Sequence, residues 1–171
     1  MAKTFSVVAL VATALCLSSL VGSAYSQNDQ LHVIGKVICD PCRVSFETTA
    51  SYPLPGAQVQ LVCTNRTSGV VKETIQGTTD INGAYQLTVD GDHQDEICEV
   101  EALKSPEPLC SSLVPKTIKN ARISLTGNSG VAGSDRFTNP LFFSPEKSLE
   151  SCPQILLDMG ILPPGTDDFY Y

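Results

Sequence analysis

The chain has 171 residues, with 11 Lys or Arg against 18 Asp or Glu, a net charge of −7. That length suits one domain, and the acidic balance argues against a nucleic-acid binder, which needs a basic face. Hydrophobic residues make up 42% and charged residues 17%, with no Trp, 12 Gly and 11 Pro, so the composition excludes wholesale disorder and suits a turn-rich β protein better than a helix bundle.

Residues 1–24 read as a secretory signal peptide. Lys3 supplies the positive start, Val7 to Leu20 the apolar stretch, and Val21-Gly22-Ser23-Ala24 the small-residue cleavage site. No later stretch approaches the roughly 20 apolar residues of a membrane span, so the mature chain is expected to be soluble and secreted, with no membrane span. Residues 25–30 are a polar leader. Residues 31–162 form the domain, and 163–171, rich in Pro, Gly and acid, a loose acidic tail.

Within 31–162 the dominant period is two. Leu31, Val33, Val37 and Cys39 fall on one side, with Gly35 among them. Ala57, Val59, Leu61 and Cys63 alternate with polar neighbours, as do Tyr85, Leu87 and Val89. Cys98, Val100 and Ala102 repeat the pattern, and so do Ala121, Ile123 and Leu125. Such alternation predicts half-buried antiparallel strands. Val70 to Ile75 is a further strand. Turn residues fill the joints at Pro53-Leu54-Pro55-Gly56, Asn65 to Gly69, Asn82-Gly83 and Asp90-Gly91-Asp92. About seven short strands so spaced predict an all-β sandwich or small barrel. One short helix is predicted over 153–159, with Pro153 in its first turn, Ile155, Leu156 and Met159 on one face, and Gly160 as its cap.

Seven cysteines are too many for an ordinary cytosolic domain. Cleavage removes Cys16 and leaves Cys39, Cys42, Cys63, Cys98, Cys110 and Cys152. An even number in an oxidising compartment suggests three disulfides, with the connectivity open. Cys39-Asp40-Pro41-Cys42 has CxxC spacing, but it closes a strand without the βαβ surroundings of a redox motif. It also lacks the second close pair of a zinc site. Two cysteines so close on an extended strand are hard to bridge to each other, so each is expected to bond a distant partner.

Asn65-Arg66-Thr67 is the single N-glycosylation sequon, placed on a hairpin loop. The run Asp90 to Glu96 offers oxygens for calcium. However, Asp95 stands where an EF-hand loop needs Gly, and a solvated acidic turn is the better reading. His32 and His93 are the only histidines, and no HExxH, GxSxG or Walker sequence occurs. No catalytic residue, metal ligand or cofactor site is assigned.

Val33 to Arg43 resembles the signature of the pollen Ole e I-like family, the olive major pollen allergen and its plant relatives. Gly35, Val37, Cys39, Asp40, Cys42 and Arg43 match it; Ile34 and Ile38 stand where the family carries an acid or amide and a Tyr. Thr79-Asp80 with Gly83 and Tyr85, Ser105-Pro106 with Cys110, Asn139-Pro140-Leu141 and Cys152-Pro153 look like further landmarks, over roughly 31–160. The resemblance implies disulfides Cys39–Cys110, Cys42–Cys152 and Cys63–Cys98. Thr79 to Tyr85 is also similar to a motif of transthyretin-like sandwiches. In function, the resemblance implies a secreted plant protein that acts as a non-catalytic binding or signalling module in a pollen, pollen-tube or cell-wall setting. Its partner would be a receptor-kinase ectodomain or a wall component. A structural wall protein is the alternative, and an enzyme acting on wall glycans ranks below both.

Overall fold

The computed structural model describes residues 30–113 and 120–162. The signal peptide, nearly all of the leader and the acidic tail lie outside the described residues. Two sheets face each other. The first contains β1 (Gln30–Cys39), β2 (Tyr52–Pro53), β5 (Ala84–Asp90), β7 (Ser112–Leu113), β9 (Asp135–Phe137) and β10 (Leu141–Ser144). The second is β4-β3-β6-β8, built from β3 (Gln58–Asn65), β4 (Val71–Thr78), β6 (Glu96–Lys104) and β8 (Asn120–Ile123), antiparallel throughout. The all-β sandwich is therefore present, with ten described strands where about seven are expected; the excess is short pieces of two to four residues.

The alternation in sequence becomes alternation in burial. Val59, Leu61 and Cys63 of β3, Leu87 and Val89 of β5, and Val100 and Ala102 of β6 all lie in one core with Val33, Leu141 and Phe143. The intervening Gln, Thr and Glu residues point outward. Leu54, read from sequence as a turn residue, is fully buried, and Tyr52–Pro53 before it pairs with Ile38 and Cys39.

Strand β1 changes partners along its length. Gln30–Lys36 pairs antiparallel with β5, and within that stretch His32–Ile34 also pairs parallel with β9. Val37–Cys39 pairs parallel with β10, while Ile38 and Cys39 pair antiparallel with β2. Gly35 sits just before the change, opposite Tyr85. A Cβ there would collide with the Tyr85 ring and with Thr138 Oγ1, so only glycine lets the tyrosine lie across the strand. The Tyr85 hydroxyl meets Thr138 Oγ1 at 2.7 Å. Burial pushes its pKa up to about 12, against a smaller lowering by that hydrogen bond.

The Thr79–Tyr85 turn is tied down by two side chains. Asp80 Oδ1 accepts from the N–H groups of Asn82 (2.8 Å) and Ala84 (2.9 Å). Thr79 is buried; its Oγ1 donates to Leu54 O at 2.5 Å and accepts from the Ala57 N–H at 2.9 Å. Gly83 takes φ 71°, and a Cβ there would press on Val37 O and Leu54 N. Asn82, the other residue of that pair, does not adopt positive φ.

Helix α1 (Cys152–Asp158) starts one residue earlier than predicted. It buries Cys152 and Leu156, whereas Met159 is exposed. The helix ends because the N–H groups of Gly160 and Ile161 bond back to Leu157 O and Leu156 O, both at 2.9 Å. Met159 is the residue that caps the helix, beyond its last turn, and lies exposed.

Candidate functional site

The cysteines form three bonds. Cys63–Cys98 joins directly opposed residues of β3 and β6. Cys39–Cys110 ties the end of β1 to a 3-10 turn at Pro108–Cys110. Cys42–Cys152 ties the following loop to α1. The CxxC cysteines therefore face different partners, one in the core and one toward the helix.

Asp40, between them, is completely buried and acts on the backbone. One carboxylate oxygen accepts from the Cys42 N–H at 3.1 Å, the other from the Ser45 N–H at 2.7 Å. Its own N–H donates to Phe143 O at 2.8 Å. The loop it organises contains two non-glycine residues at positive φ, Arg43 (59°) and Ser45 (62°). Arg43 Nη1 donates to the carbonyls of Pro145 and Glu146. Of the signature residues, Val37, Asp40, Cys42 and Arg43 thus join the end of β1 to β10, α1 and the loop between them, while Cys39 ties that end to the 3-10 turn and Gly35 makes room for Tyr85.

A polar cavity opens elsewhere, at one end of the second sheet. Its volume is about 340 Å³, and its lining comes from the β3–β4 turn, the β5–β6 loop and β8 with the residues after it. The loop is fixed from both sides: the His93 N–H donates to Leu125 O (2.8 Å) and the Arg66 N–H to Asp95 O (3.1 Å). The His93 ring is nearly buried between two carboxylates, with Nδ1 2.8 Å from Glu96 and Nε2 3.2 Å from Glu73. A protonated ring donates to both and a neutral ring to one. Arg66, Arg122, Gln94 and Ser124 supply polar lining; Ile97, Ile123 and Leu125 supply an aliphatic wall. Asn65, the sequon residue, sits opposite Glu96 in the β3–β6 ladder. Its Oδ1 accepts from the Thr67 and Ser68 N–H groups and from Ser68 Oγ, an Asx turn that presents the residue at the surface.

Cys63, His93, Glu96 and Cys98 hold ligand-type atoms within 4.8 Å of one another. The two sulfurs are joined in a disulfide, whereas a metal site needs them as thiolates, so this grouping is not a metal centre in the oxidised chain. In the acid run, Asp90, Asp92 and Asp95 are exposed and do not converge. Asp90 Oδ1 accepts from Gln30 Nε2 (2.9 Å) and Asp92 Oδ1 from the Gln94 N–H (2.9 Å). The residues that sequence reasoning missed are Arg66 and Arg122. They are 56 positions apart, and no local pattern joins them.

The sequence profile described as Pollen protein Ole e 1 like matches residues 29–160. The chain belongs to that family. Among its relatives, the Olee1-like protein of Betula pendula is 44% identical over 154 residues, covering 89% of this chain and 92% of its own. The anther-specific protein LAT52 of Solanum lycopersicum is 41% identical over 151 residues, covering 88% and 93%. The crystal structure of the major plantain pollen allergen Pla l 1 superimposes with a TM-score of 0.64 at 34% identity, covering 72% of this chain and 99% of that one. Family and sandwich fold thus agree, and the relatives named here are pollen or anther proteins or resemble them. Among the described residues, no helix is long and apolar enough to cross a membrane.

Proposed function

We propose that this member of the Ole e 1-like family is a secreted extracellular protein of pollen or associated tissue that acts by binding, without catalysis. The observation that carries the reading is the bracing of the scaffold. Three disulfides brace a two-sheet sandwich on whose strands stand the turns carrying Arg66 and His93, beside Arg122 of β8. Loops held this way lose little entropy when a partner docks. A disulfide set of this kind also belongs to an oxidising compartment. Relatives named as anther-specific and pollen proteins support the setting. The partner is a receptor-kinase ectodomain or a wall component.

The test is affinity capture from extracellular extract of floral tissue. The bait is the oxidised protein, with a reduced and alkylated control. Fold-dependent recovery of a receptor ectodomain supports a signalling ligand. Recovery of wall polysaccharide or wall protein alone supports a wall-associated role. Equal recovery by both baits refutes a role that depends on the folded scaffold.

A further inference from the structure

The cavity between the β3–β4 turn and β8 has a chemical character of its own. The chain holds four arginines, Arg43, Arg66, Arg122 and Arg136. Arg43 donates to two carbonyls of the loop before α1. Arg136 is buried and donates to the carbonyls of Gly133, Asp135 and Thr126. The remaining two, Arg66 and Arg122, form no ion pair or side-chain hydrogen bond with any described residue, and both line this one cavity. In a chain of net charge −7 with acids on the adjoining loop, two solvent-facing guanidiniums without a partner among the described residues share one cavity. Three carboxylates of the adjoining strands are engaged elsewhere. Glu96 and Glu73 face the His93 ring, and Glu99, opposite Arg122 in the ladder, accepts from Asn120 Nδ2 at 3.2 Å.

We propose that this cavity binds a small organic monocarboxylate with an apolar body. Two guanidinium forks suit a carboxylate, whose paired oxygens accept parallel N–H bonds. The Gln94 Oε1 already accepts from Asn128 Nδ2 at 2.6 Å, which leaves its two amide N–H donors to the ligand. Ile97, Ile123 and Leu125 give the rest of the molecule an aliphatic wall. The volume of about 340 Å³ lies at the lower end of small-molecule sites and limits the ligand to low mass. Glu96, in the lining, repels a dianion about twice as strongly as a monoanion, so a monocarboxylate is preferred to doubly charged phosphate. This ligand class deepens the binding reading above, and rests on it in taking the protein to act by binding.

The experiment measures phenylacetate and cyclohexylacetate binding to the oxidised full-length protein by calorimetry. Phenylacetamide serves as the neutral analogue and inorganic phosphate as the dianion. A Thr67→Ala background removes the sequon while leaving the Asn65 Oδ1 turn, in which Thr67 takes part through its backbone N–H, so no glycan stands at the rim. The carboxylates are expected to bind. Phenylacetamide and the Arg66→Ala and Arg122→Ala variants should each be weaker by about tenfold or more, as expected for loss of charge-assisted hydrogen bonds. Arg66→Lys with Arg122→Lys should bind less tightly than the parent and more tightly than the double alanine variant. Both arginines are exposed, so unchanged circular dichroism and melting in the variants will show that the fold is intact. Absence of carboxylate binding, equal binding of phenylacetamide, phosphate binding as tight as carboxylate, or indifference to both arginines each overturns the proposal. Lost carboxylate binding with macromolecular capture intact sinks the ligand class alone. Carboxylate binding with no captured macromolecule supports the ligand class and counts against the macromolecular partner.

Discussion

Replacing Thr79 by Val keeps the side chain's shape and removes its hydroxyl. In the folded protein that hydroxyl serves two backbone groups at once, the Leu54 carbonyl at 2.5 Å and the Ala57 N–H at 2.9 Å. Both residues are essentially inaccessible to solvent, at 1% and 0% exposure, so water cannot replace it without opening the core. An orphaned buried polar group costs about 1–3 kcal/mol, and two of them, less about 0.8 kcal/mol for the added methyl, give a net loss of about 1–5 kcal/mol. For a domain whose total stability lies between about 5 and 15 kcal/mol, that is a large fraction. The assay is urea unfolding with the disulfides intact. The midpoint should fall by about 1–2 M with the slope unchanged, since the surface exposed on unfolding is the same. Thr79→Ser restores the hydroxyl and loses only a methyl, so it should recover most of the midpoint. If Thr79→Val lies within about 0.5 kcal/mol of the parent, or Thr79→Ser falls as far, the hydroxyl is not what joins β4 to the Leu54–Ala57 segment.

Three more outcomes are expected. Tyr85, with its pKa raised from 10.0 to about 12, favours the folded state in its neutral form. This stabilisation is complete below pH 10 and is lost as pH rises toward 12, a decline of about 2–3 kcal/mol that should largely vanish in Tyr85→Phe when stability is followed against pH. Gly35→Ala should destabilise by about 1–3 kcal/mol or more through collision with Tyr85, and pairing it with Tyr85→Leu should restore part of the melting temperature, with additive losses counting against the contact. Opening Cys42–Cys152 as the double serine variant should cost about 2–5 kcal/mol and speed hydrogen exchange at the Ile155 and Met159 amides; protection equal to the parent would mean that Leu156 packing alone holds the helix.

The strands legible in the sequence are those with one wet face. Val59-Gln60-Leu61 and Leu87-Thr88-Val89 announce their sheet side because every second residue meets solvent. Leu141-Phe142-Phe143-Ser144 carries no such alternation, because β10 lies between β1 and β7 and Leu141, Phe143 and Ser144 are all buried. β9 reverses the usual sense: Arg136 is buried and Phe137 is 72% exposed, because the guanidinium is drawn inward by three carbonyls. The cavity was hidden for a different reason. Its arginines belong to elements that meet only through β6, which lies between β3 and β8, and pairing of that kind leaves no local spacing to read. The CxxC signature is legible, but the role of Asp40 is not, because its carboxylate serves the Cys42 and Ser45 N–H groups, backbone partners that no residue type announces.

The pairing of β1 fixes an order of events during synthesis. β1 is the first described strand to leave the ribosome, yet two of its partners, β9 and β10, are made roughly a hundred residues later. The sheet that contains β1 can pair early with β5 but cannot be completed until nearly the whole chain is made, whereas β3, β4 and β6, separated in sequence only by β5, can pair with one another early. Cys63 and Cys98 mature together on that early sheet, while Cys39 and Cys42 emerge side by side with their partners, Cys110 and Cys152, still unmade. A nascent chain thus passes through a stage at which the two neighbouring thiols must be kept from wrong partners. Errors in maturation should accumulate there, at the seam that closes last.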